Sequence, residues 1–441
     1  MTIEISFLGA AREVGRSCIL VKTKGYSCLL DCGVKFENRK VVGPLLEKKQ
    51  IQELDEVIIS HAHLDHSGYT PALYAQGYKG KIICTKPTRD LMQLLLSDAL
   101  HIQKDYSPYN QKNLDEMMKN TEIVEYKAKS KSKKAEFQDA GHILGSAITT
   151  LEVDNHKIIY TGDINLRASK LLDGADVKNL EGDTLIIEST YGCPDDIHPA
   201  SKTTIATFIE HIRKTLNNGG KVIIPTFAIG RGQEILNILE NHMRSGVLPK
   251  CPIYLDGMVK TATRIYRHNA IYLSDEIKKR ILTSDDDPFK SPFYHIPTSK
   301  TKKDVLDTEK CIIVTTSGML VGGPVVTYLQ HLGSNKHNKM ILVGFQAQGT
   351  PGRELLEGAK ELKLDGQIVE INLQIEQAPF SAHSDNRELV QIAKSIKGLQ
   401  RIFIVHGDPT KQDAFIKTLQ KAFKKEKTKI HAPQLGETIK I

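Results

Sequence analysis

The segment His61–His66, with the sequence HAHLDH, constrains this chain more than any other feature. It directly follows Glu56–Ser60, a hydrophobic run that predicts a buried strand. In an extended segment, alternation would point His61, His63 and Asp65 to one side, and a turn would add His66. Packing gives no reason for so many imidazoles and carboxylates after a buried strand. Binding of zinc, or less specifically of manganese or iron, would explain them. The segment therefore predicts a two-metal hydrolase site.

Two metal sites need more ligands than this segment supplies. His142 lies in a loop between glycines, and Asp163 and His406 each follow a predicted strand. Asp163 has two oxygens and could bridge two ions, which together would activate water and clamp a phosphodiester or an amide. For a single histidine at a strand end, a hydrogen-bonded structural role is the alternative. These three residues are therefore candidate ligands.

The leaving oxygen of such a reaction needs a proton, and His383 is the candidate donor. Glu188, at the end of another predicted strand, could pair with His383, hold its tautomer and raise its pKa.

The length of 441 residues suggests two domains. The first part alternates short strands and turns. The middle alternates helices with strands, as in the helix Ser201–Asn217, the strand Lys221–Pro225 and the helix Gln233–Met243, which predicts a parallel sheet. The last part contains a strand, Arg401–Val405, and a helix, Gln412–Lys425.

Composition narrows the classes of protein. With 40% hydrophobic and 25% charged residues, the chain reads as soluble and globular. We expect no membrane association and a cytoplasmic location, because neither a signal peptide nor a bilayer-length apolar run is evident. The seven cysteines lack a Cys-x-x-Cys spacing, which argues against a disulfide framework or a thiolate zinc site. The net charge of +8 fits a polyanionic partner or simply solvated surface lysines.

Together these residues resemble the metallo-β-lactamase superfamily and, within it, the β-CASP nucleases. That family includes the endonuclease subunit of the cleavage and polyadenylation specificity factor and its archaeal and bacterial relatives. The resemblance covers nearly the whole chain. The residues that carry it are Asp31, His61–His66, His142, Asp163, Glu188, His383 and His406.

The resemblance implies an α/β fold, in which a metallo-β-lactamase αββα sandwich (1–192 and 380–441) is interrupted by a β-CASP domain (193–379) with a parallel sheet flanked by helices. It implies two Zn²⁺ ions, with Mn²⁺ as the alternative. It assigns His61, His63 and His142 to one ion, Asp65, His66 and His406 to the other, and Asp163 to both. The catalytic group comprises Asp65, Glu188 and His383, with Asp31 orienting the ligands.

The resemblance further implies a zinc-dependent ribonuclease that cuts single-stranded RNA internally, with 5′→3′ exonuclease action as a second mode, in RNA 3′-end processing or decay. His406 favours RNA over DNA, because DNA-repair relatives carry an apolar residue there. A homodimer, or partners in a processing or decay complex, would fit this role. The alternatives are a hydrolase of a small-molecule ester or thioester and a non-catalytic RNA-binding paralogue.

Three glycine-containing loops of the middle segment also match the family. They contain Arg231, the pair Ser317–Gly318, and Arg353, which are candidate RNA-binding residues because arginine can hold a phosphate with two hydrogen bonds. The glycines either allow close approach of phosphates or only shape the turns. The KH domains that often begin archaeal relatives are not found here. RNA selection is therefore expected from the active-site cleft that the resemblance implies between the two domains, or from a partner. Trp is absent, so any base stacking would use Phe or Tyr.

Overall fold

The computed structural model describes residues 2–37, 40–103, 106–284, 286–298 and 300–441. These residues form two compact units. Unit 1 comprises Met1–Ala168, Asp173–Ile197 and His383–Ile441, and unit 2 comprises Ser169–Leu172 and His198–Ala382. The domain boundaries expected at 193 and 379 stay a prediction.

The first part of unit 1 contains the strands β1 (Glu4–Gly9), β2 (Cys18–Lys22), β3 (Ser27–Leu30), β4 (Lys35–Glu37), β5 (Lys40–Val42), β6 (Glu56–Ile58), β7 (Lys81–Cys84), β8 (Thr121–Ile123), β9 (Ala135–Asp139), β10 (Ala147–Val153), β11 (His156–Tyr160) and β12 (Thr184–Glu188). Its helices are α1 (Lys48–Gln52), α2 (Leu64–Ser67), α3 (Thr70–Ala75), α4 (Lys86–Gln103) and α5 (Gln111–Lys119).

Unit 2 contains the strands β13 (Val222–Pro225), β14 (Ile253–Asp256), β15 (Tyr294–His295), β16 (Ile312–Thr315), β17 (Lys339–Leu342), β18 (Glu361–Leu364), β19 (Gln367–Glu370) and β20 (Gln374–Gln377). Its helices are α6 (Ser201–Asn217), α7 (Arg231–Arg244), α8 (Val259–His268), α9 (Asp275–Thr283), α10 (Lys302–Asp307), α11 (Pro324–Leu332) and α12 (Pro351–Leu356). Short 3-10 turns lie at Ala270–Tyr272 and Pro288–Lys290. The chain then returns to unit 1 through α13 (Asn386–Ser395), β21 (Arg401–Val405), α14 (Pro409–Ala422), β22 (Lys429–His431) and β23 (Thr438–Lys440).

Unit 1 is built on two sheets that face each other. One has the strand order β23-β1-β2-β3-β6-β7-β8, and the other has the order β22-β21-β12-β11-β10-β9. Their facing sides share one apolar core, in which Phe7 and Ile5 of the first sheet lie with Phe137, Ile158 and Phe403 of the second. The second sheet packs its other side on α13 and α14, and α3, α4 and α5 pack together beside β8 of the first. The expected αββα sandwich is therefore confirmed.

Unit 2 is built on a parallel sheet with the order β15-β14-β16-β13-β17-β20. Successive residues of β13 point to opposite faces, and both faces are covered: Val222 and Ile224 pack with α6 and α7, while Ile223 packs with α11. The parallel sheet predicted for the middle of the chain is confirmed.

Two expectations from composition can be compared with the fold. The seven cysteines are all free, and the six that are buried act as small apolar core residues. Within the described ranges, no helix combines the length and the apolar character needed to cross a bilayer.

Candidate metal centre

Four of the predicted site residues lie where strands of unit 1 end. His61 follows β6, Asp163 follows β11 and His406 follows β21, while Glu188 is the last residue of β12. The strands β11, β12 and β21 are parallel neighbours in register, with Tyr160 beside Ile186 and Glu188 beside Val405. Parallel neighbours lie about 4.8 Å apart, so the side chains that follow them converge at one edge of the sheet.

The conformation of the His61–His66 segment differs from the expected extended one. Helix α2 begins at Leu64, so Asp65 and His66 lie in a helical turn and His63 is its N-cap residue. The hydroxyl of Ser67 fixes this turn by donating to the backbone oxygens of Ala62 and His63, at 3.0 and 3.1 Å. Strand alternation was therefore the wrong reason for the direction of Asp65, because the chain stops being extended before that residue.

Three histidines form the first cluster. The Nδ1 atom of His63 lies 3.1 Å from Nε2 of His61 and 3.1 Å from Nε2 of His142. The Oδ2 atom of Asp163 lies 3.5 Å from the His61 nitrogen and 3.6 Å from the His142 nitrogen. Burial, followed by the charge on His66, lowers the pKa of His61 well below its ordinary value. A neutral imidazole presents a free lone pair, as a metal ligand must.

A second cluster lies on the other oxygen of Asp163. Its Oδ1 atom is 3.3 Å from Nε2 of His66 and 3.3 Å from Nδ1 of His406. Asp65 completes this group, because its Oδ2 atom lies 3.3 Å from Nε2 of His406. Each oxygen of Asp163 therefore faces one cluster.

The chemistry of these side chains fits a pair of metal ions. The Oδ1 atom of Asp163 is buried, and although two imidazole nitrogens lie 3.3 Å from it, none of the described residues donates a well-aligned hydrogen bond to it. An unpartnered buried carboxylate oxygen is costly unless a cation balances it. Burial raises the pKa of Asp163, but His406 and His66 outweigh that effect and lower it well below its ordinary value, so the group is a carboxylate. Imidazole nitrogens around a carboxylate are a donor set suited to zinc.

Asp31 orients the second cluster through the ring of His66. Its Oδ2 atom lies 2.6 Å from Nδ1 of His66 and accepts a hydrogen bond of 2.7 Å from the hydroxyl of Tyr160. Ser60 donates its backbone N–H to Oδ1 and its hydroxyl to Oδ2, both at 2.7 Å. The Ser60 hydroxyl also lies 3.0 Å from Nδ1 of His61, so it connects Asp31 with the first cluster.

Ser60 and Tyr160 were missed by the sequence analysis. Both lie in apolar strand segments that already had a role as core. The available signal was their position, since Ser60 precedes the first ligand and Tyr160 lies three residues before Asp163.

His383 and Glu188 form a pair beside Asp163. Nδ1 of His383 lies 2.9 Å from Oε1 of Glu188, and its Nε2 atom lies 4.0 Å from Oδ2 of Asp163. Burial lowers the pKa of His383, but the charges of Glu188 and Asp163 outweigh burial and raise the pKa to about 9. Glu188 is itself held, because it accepts backbone hydrogen bonds from Ile164 and Thr190 at 2.9 and 3.2 Å.

The loop that carries His383 is fixed by the start of α13. Asp385 accepts from the backbone N–H of Glu388 at 3.1 Å, and Glu388 accepts from that of Asp385 at 2.9 Å, which is a capping box. The backbone N–H of Ser384 donates to the oxygen of Ile164 at 2.8 Å. This bond ties the His383 loop to the loop that carries Asp163.

Comparison with known proteins adds independent findings. Three family models match: a metallo-beta-lactamase superfamily domain at residues 20–190, a Beta-Casp domain at 232–355, and a Zn-dependent metallo-hydrolase RNA specificity domain at 368–433. An RNase J-like protein of Methanocaldococcus jannaschii is 43% identical over 95% of this chain and 96% of its own length. The transcription termination factor FttA of the same organism is 40% identical over 96% of this chain and 70% of its own length.

The chain belongs to the β-CASP family of metallo-hydrolases. A solved structure shares this fold: the crystal structure of a protein of unknown function from Enterococcus faecalis matches over the whole of both chains, with a TM-score of 0.60 and 15% identity.

The predicted RNA-binding residues of the β-CASP protein lie in unit 2. Arg231 opens α7, is 8% exposed, forms an ion pair with Glu234 and lies 5.4 Å above the ring of Phe380. Arg353 lies in α12 and is paired with Glu357 at 2.7 Å. Both guanidinium groups therefore have a carboxylate partner three or four residues further along the chain, with which a phosphate would compete.

The remaining predicted pair, Ser317–Gly318, lies in the loop after β16. The hydroxyl of Ser317 accepts the backbone N–H of Val321 at 3.1 Å, and Gln346 donates to the oxygen of Gly318 at 3.0 Å. The RNA-binding roles of Ser317, Gly318 and the two arginines stay predictions.

Proposed function

We propose that this protein is a zinc-dependent ribonuclease that hydrolyses single-stranded RNA internally and leaves a 3′-hydroxyl and a 5′-phosphate. One observation carries the proposal: the two oxygens of Asp163 face two separate ligand clusters, and the His383–Glu188 pair lies beside them. The family and the names of its relatives support RNA as the substrate.

In this proposal His61, His63 and His142 would hold one ion, Asp65, His66 and His406 would hold the other, and Asp163 would contribute to both. Such a pair of ions supplies a water-derived nucleophile at neutral pH and stabilises charge on the phosphoryl oxygens. Manganese is the alternative metal, but a site dominated by imidazole favours zinc over an ion that prefers oxygen ligands.

The chain's own groups would complete the reaction. When water attacks phosphorus and the bond to the 3′-oxygen breaks, that oxygen must receive a proton. His383 is suited to give it from Nε2, because Glu188 accepts at its Nδ1 and favours the protonated ring. Asp31 neither donates nor accepts this proton; it orients His66.

The test uses labelled linear RNA, circular RNA and single-stranded DNA, each with and without a chelator. We expect cleavage of both RNAs, new 5′-phosphate ends, no cleavage of DNA and loss of activity with chelator. Survival of the circular RNA would refute internal cutting and leave only exonuclease action, which comparison of 5′-phosphate and 5′-hydroxyl substrates would reveal.

A matched pair of carboxylate variants assigns the activity to this centre. Asp163→Asn should lose bound metal and cleavage together. Asp154→Asn is the control, because Asp154 is exposed in the turn between β10 and β11 at a positive φ that asparagine also adopts. Equal metal content and equal cleavage in the two variants would refute the proposed site.

A further inference from the structure

A basic groove lies at the opposite end of the strand that precedes His406. It has a volume of about 700 Å³ and is lined by residues that include Leu399, Gln400, Arg401, Lys427, Thr428 and Lys429. Arg401 and Lys429 are the first residues of β21 and β22 and pair in register. Because β21 rises about 3.3 Å per residue, the groove is about 16 Å from the metal centre along this strand.

The positive charge of this groove is not balanced by carboxylates. Within the described ranges, Arg401, Lys427 and Lys429 have no ion pair with an acidic residue. The one acidic residue that lines the groove, Glu426, is engaged by Lys394 at 2.6 Å. Nearby Asp183 accepts hydrogen bonds from Gln400 and from the backbone N–H of Lys157. Three cationic side chains therefore remain available to an anion.

The shape and lining of the groove favour an extended polyanion over a small anion. The groove is open to solvent, and its cations are spread over two neighbouring strands, at Arg401 and Lys429, and the loop that leads from α14 into β22, at Lys427. None of its lining residues is aromatic, so it has no surface on which bases would stack. Its residues also lie entirely within the 368–433 segment that matches the RNA specificity domain model.

We propose that this groove is a second RNA-binding site, in which Arg401, Lys427 and Lys429 contact the sugar–phosphate backbone of single-stranded RNA outside the metal centre. The choice of RNA as the polyanion rests on the proposed ribonuclease function. Binding through phosphates alone is independent of sequence and falls steeply with salt. The site would hold substrates long enough to span from the groove to the scissile bond.

The decisive variant is Arg401→Gln/Lys427→Gln/Lys429→Gln, compared with Lys24→Gln/Lys79→Gln/Lys112→Gln. The control removes the same charge from exposed lysines of unit 1 that have no ion pair in the described chain. Fluorescence anisotropy of the metal-loaded protein with RNAs of graded length, read before cleavage is detectable, gives affinity against salt. For three lost contacts, the slope of log association constant against log salt should become less negative by about 2 in the groove variant, and the affinity loss should grow with RNA length.

Lys427→Glu/Lys429→Glu changes only exposed side chains, so it tests the groove even if substitution of Arg401 disturbs folding. It should weaken binding of long RNA more than the control does. A wild-type slope and affinity in both groove variants would overturn the second site while leaving the ribonuclease intact. If the groove variants bind RNA more weakly and the wild-type protein nevertheless cuts no RNA, the groove is supported and the proposed nuclease is refuted.

Discussion

Replacing Asp31 with asparagine should weaken metal binding without removing any ligand. In the native site, Oδ1 of Asp31 accepts the backbone N–H of Ser60, and Oδ2 faces Nδ1 of His66 at 2.6 Å. His66 must carry its proton on Nδ1 if Nε2, which faces Asp163, is to bind a metal. An asparagine amide can offer its oxygen to only one of these two donors. Whichever way it turns, its NH₂ group faces the other N–H.

The loss of metal-binding free energy in Asp31→Asn can be calculated in two ways. A hydrogen bond to a charged acceptor contributes about 1.5–3 kcal/mol. Loss of a group that orients a metal ligand typically lowers metal affinity about 10–100-fold, which corresponds to about 1.4–2.8 kcal/mol. The two ranges agree. The His66 cluster should lose most of this affinity, and the His61 cluster less, because Asp31 reaches His61 only through the Ser60 hydroxyl.

Competition with a chromophoric chelator measures this loss for each of the two ions. Asp55→Asn is the matched control: Asp55 is exposed, and its Oδ2 atom accepts the backbone N–H of Ser27 at 2.8 Å, which an amide oxygen can also accept. Thermal unfolding followed by circular dichroism shows whether each variant is folded. A folded Asp31→Asn protein that binds both ions as tightly as wild type would refute the reasoning.

Other substitutions test packing, proton transfer and a buried acid separately. A Cβ on Gly33 would lie 1.8 Å from the backbone oxygen of Asp65, so Gly33→Ala should displace α2 and reduce the metal content measured by atomic emission. Gly25→Ala is the control and should not reduce it, because the space around Gly25 is open. His383→Gln should keep its metal and lower kcat about 10²–10⁴-fold, and loss of metal would mark His383 as a ligand. Burial raises the pKa of Asp139 to about 7 from an ordinary value of 3.8. Its stabilising contribution is therefore full below that ordinary value and is lost as pH rises through about 7. In Asp139→Asn, the free energy of unfolding in denaturant should fall less over this range, and equal pH dependence would contradict the assignment.

The two units differ in how much of their fold could be predicted from the sequence. The parallel sheet of unit 2 could be predicted because its strands are uniformly apolar and alternate with helical patterns, as at β13 and α6. The pairing of two separate sheets in unit 1 could not be derived in this way. Its strands are short, and the last three come after a long insertion, so their neighbours were available only through family resemblance.

The residues of the candidate centre also differ in how they could be predicted. His61–His66 is a local signal and needed no fold, although the helical turn at Leu64 was not foreseen. His142 and His406 are single residues far apart in sequence, and only the motif of the family linked them. For Tyr160 the only signal was its position in an apolar strand three residues before Asp163, yet its hydroxyl reaches Asp31, 129 positions away.

Strand register explains why distant residues converge at this centre. Asp163, Glu188 and His406 end or follow three consecutive parallel strands, and the register between them contains no shift. A slip of one residue in β21 would turn His406 to the opposite face of the sheet and bury a neighbour in its place. The apolar residues that fix this register, Phe403 and Val405 on one face and Ile402 and Ile404 on the other, are all buried. The core on both faces of the second sheet therefore sets the position of the metal ligands, as well as stabilising the unit.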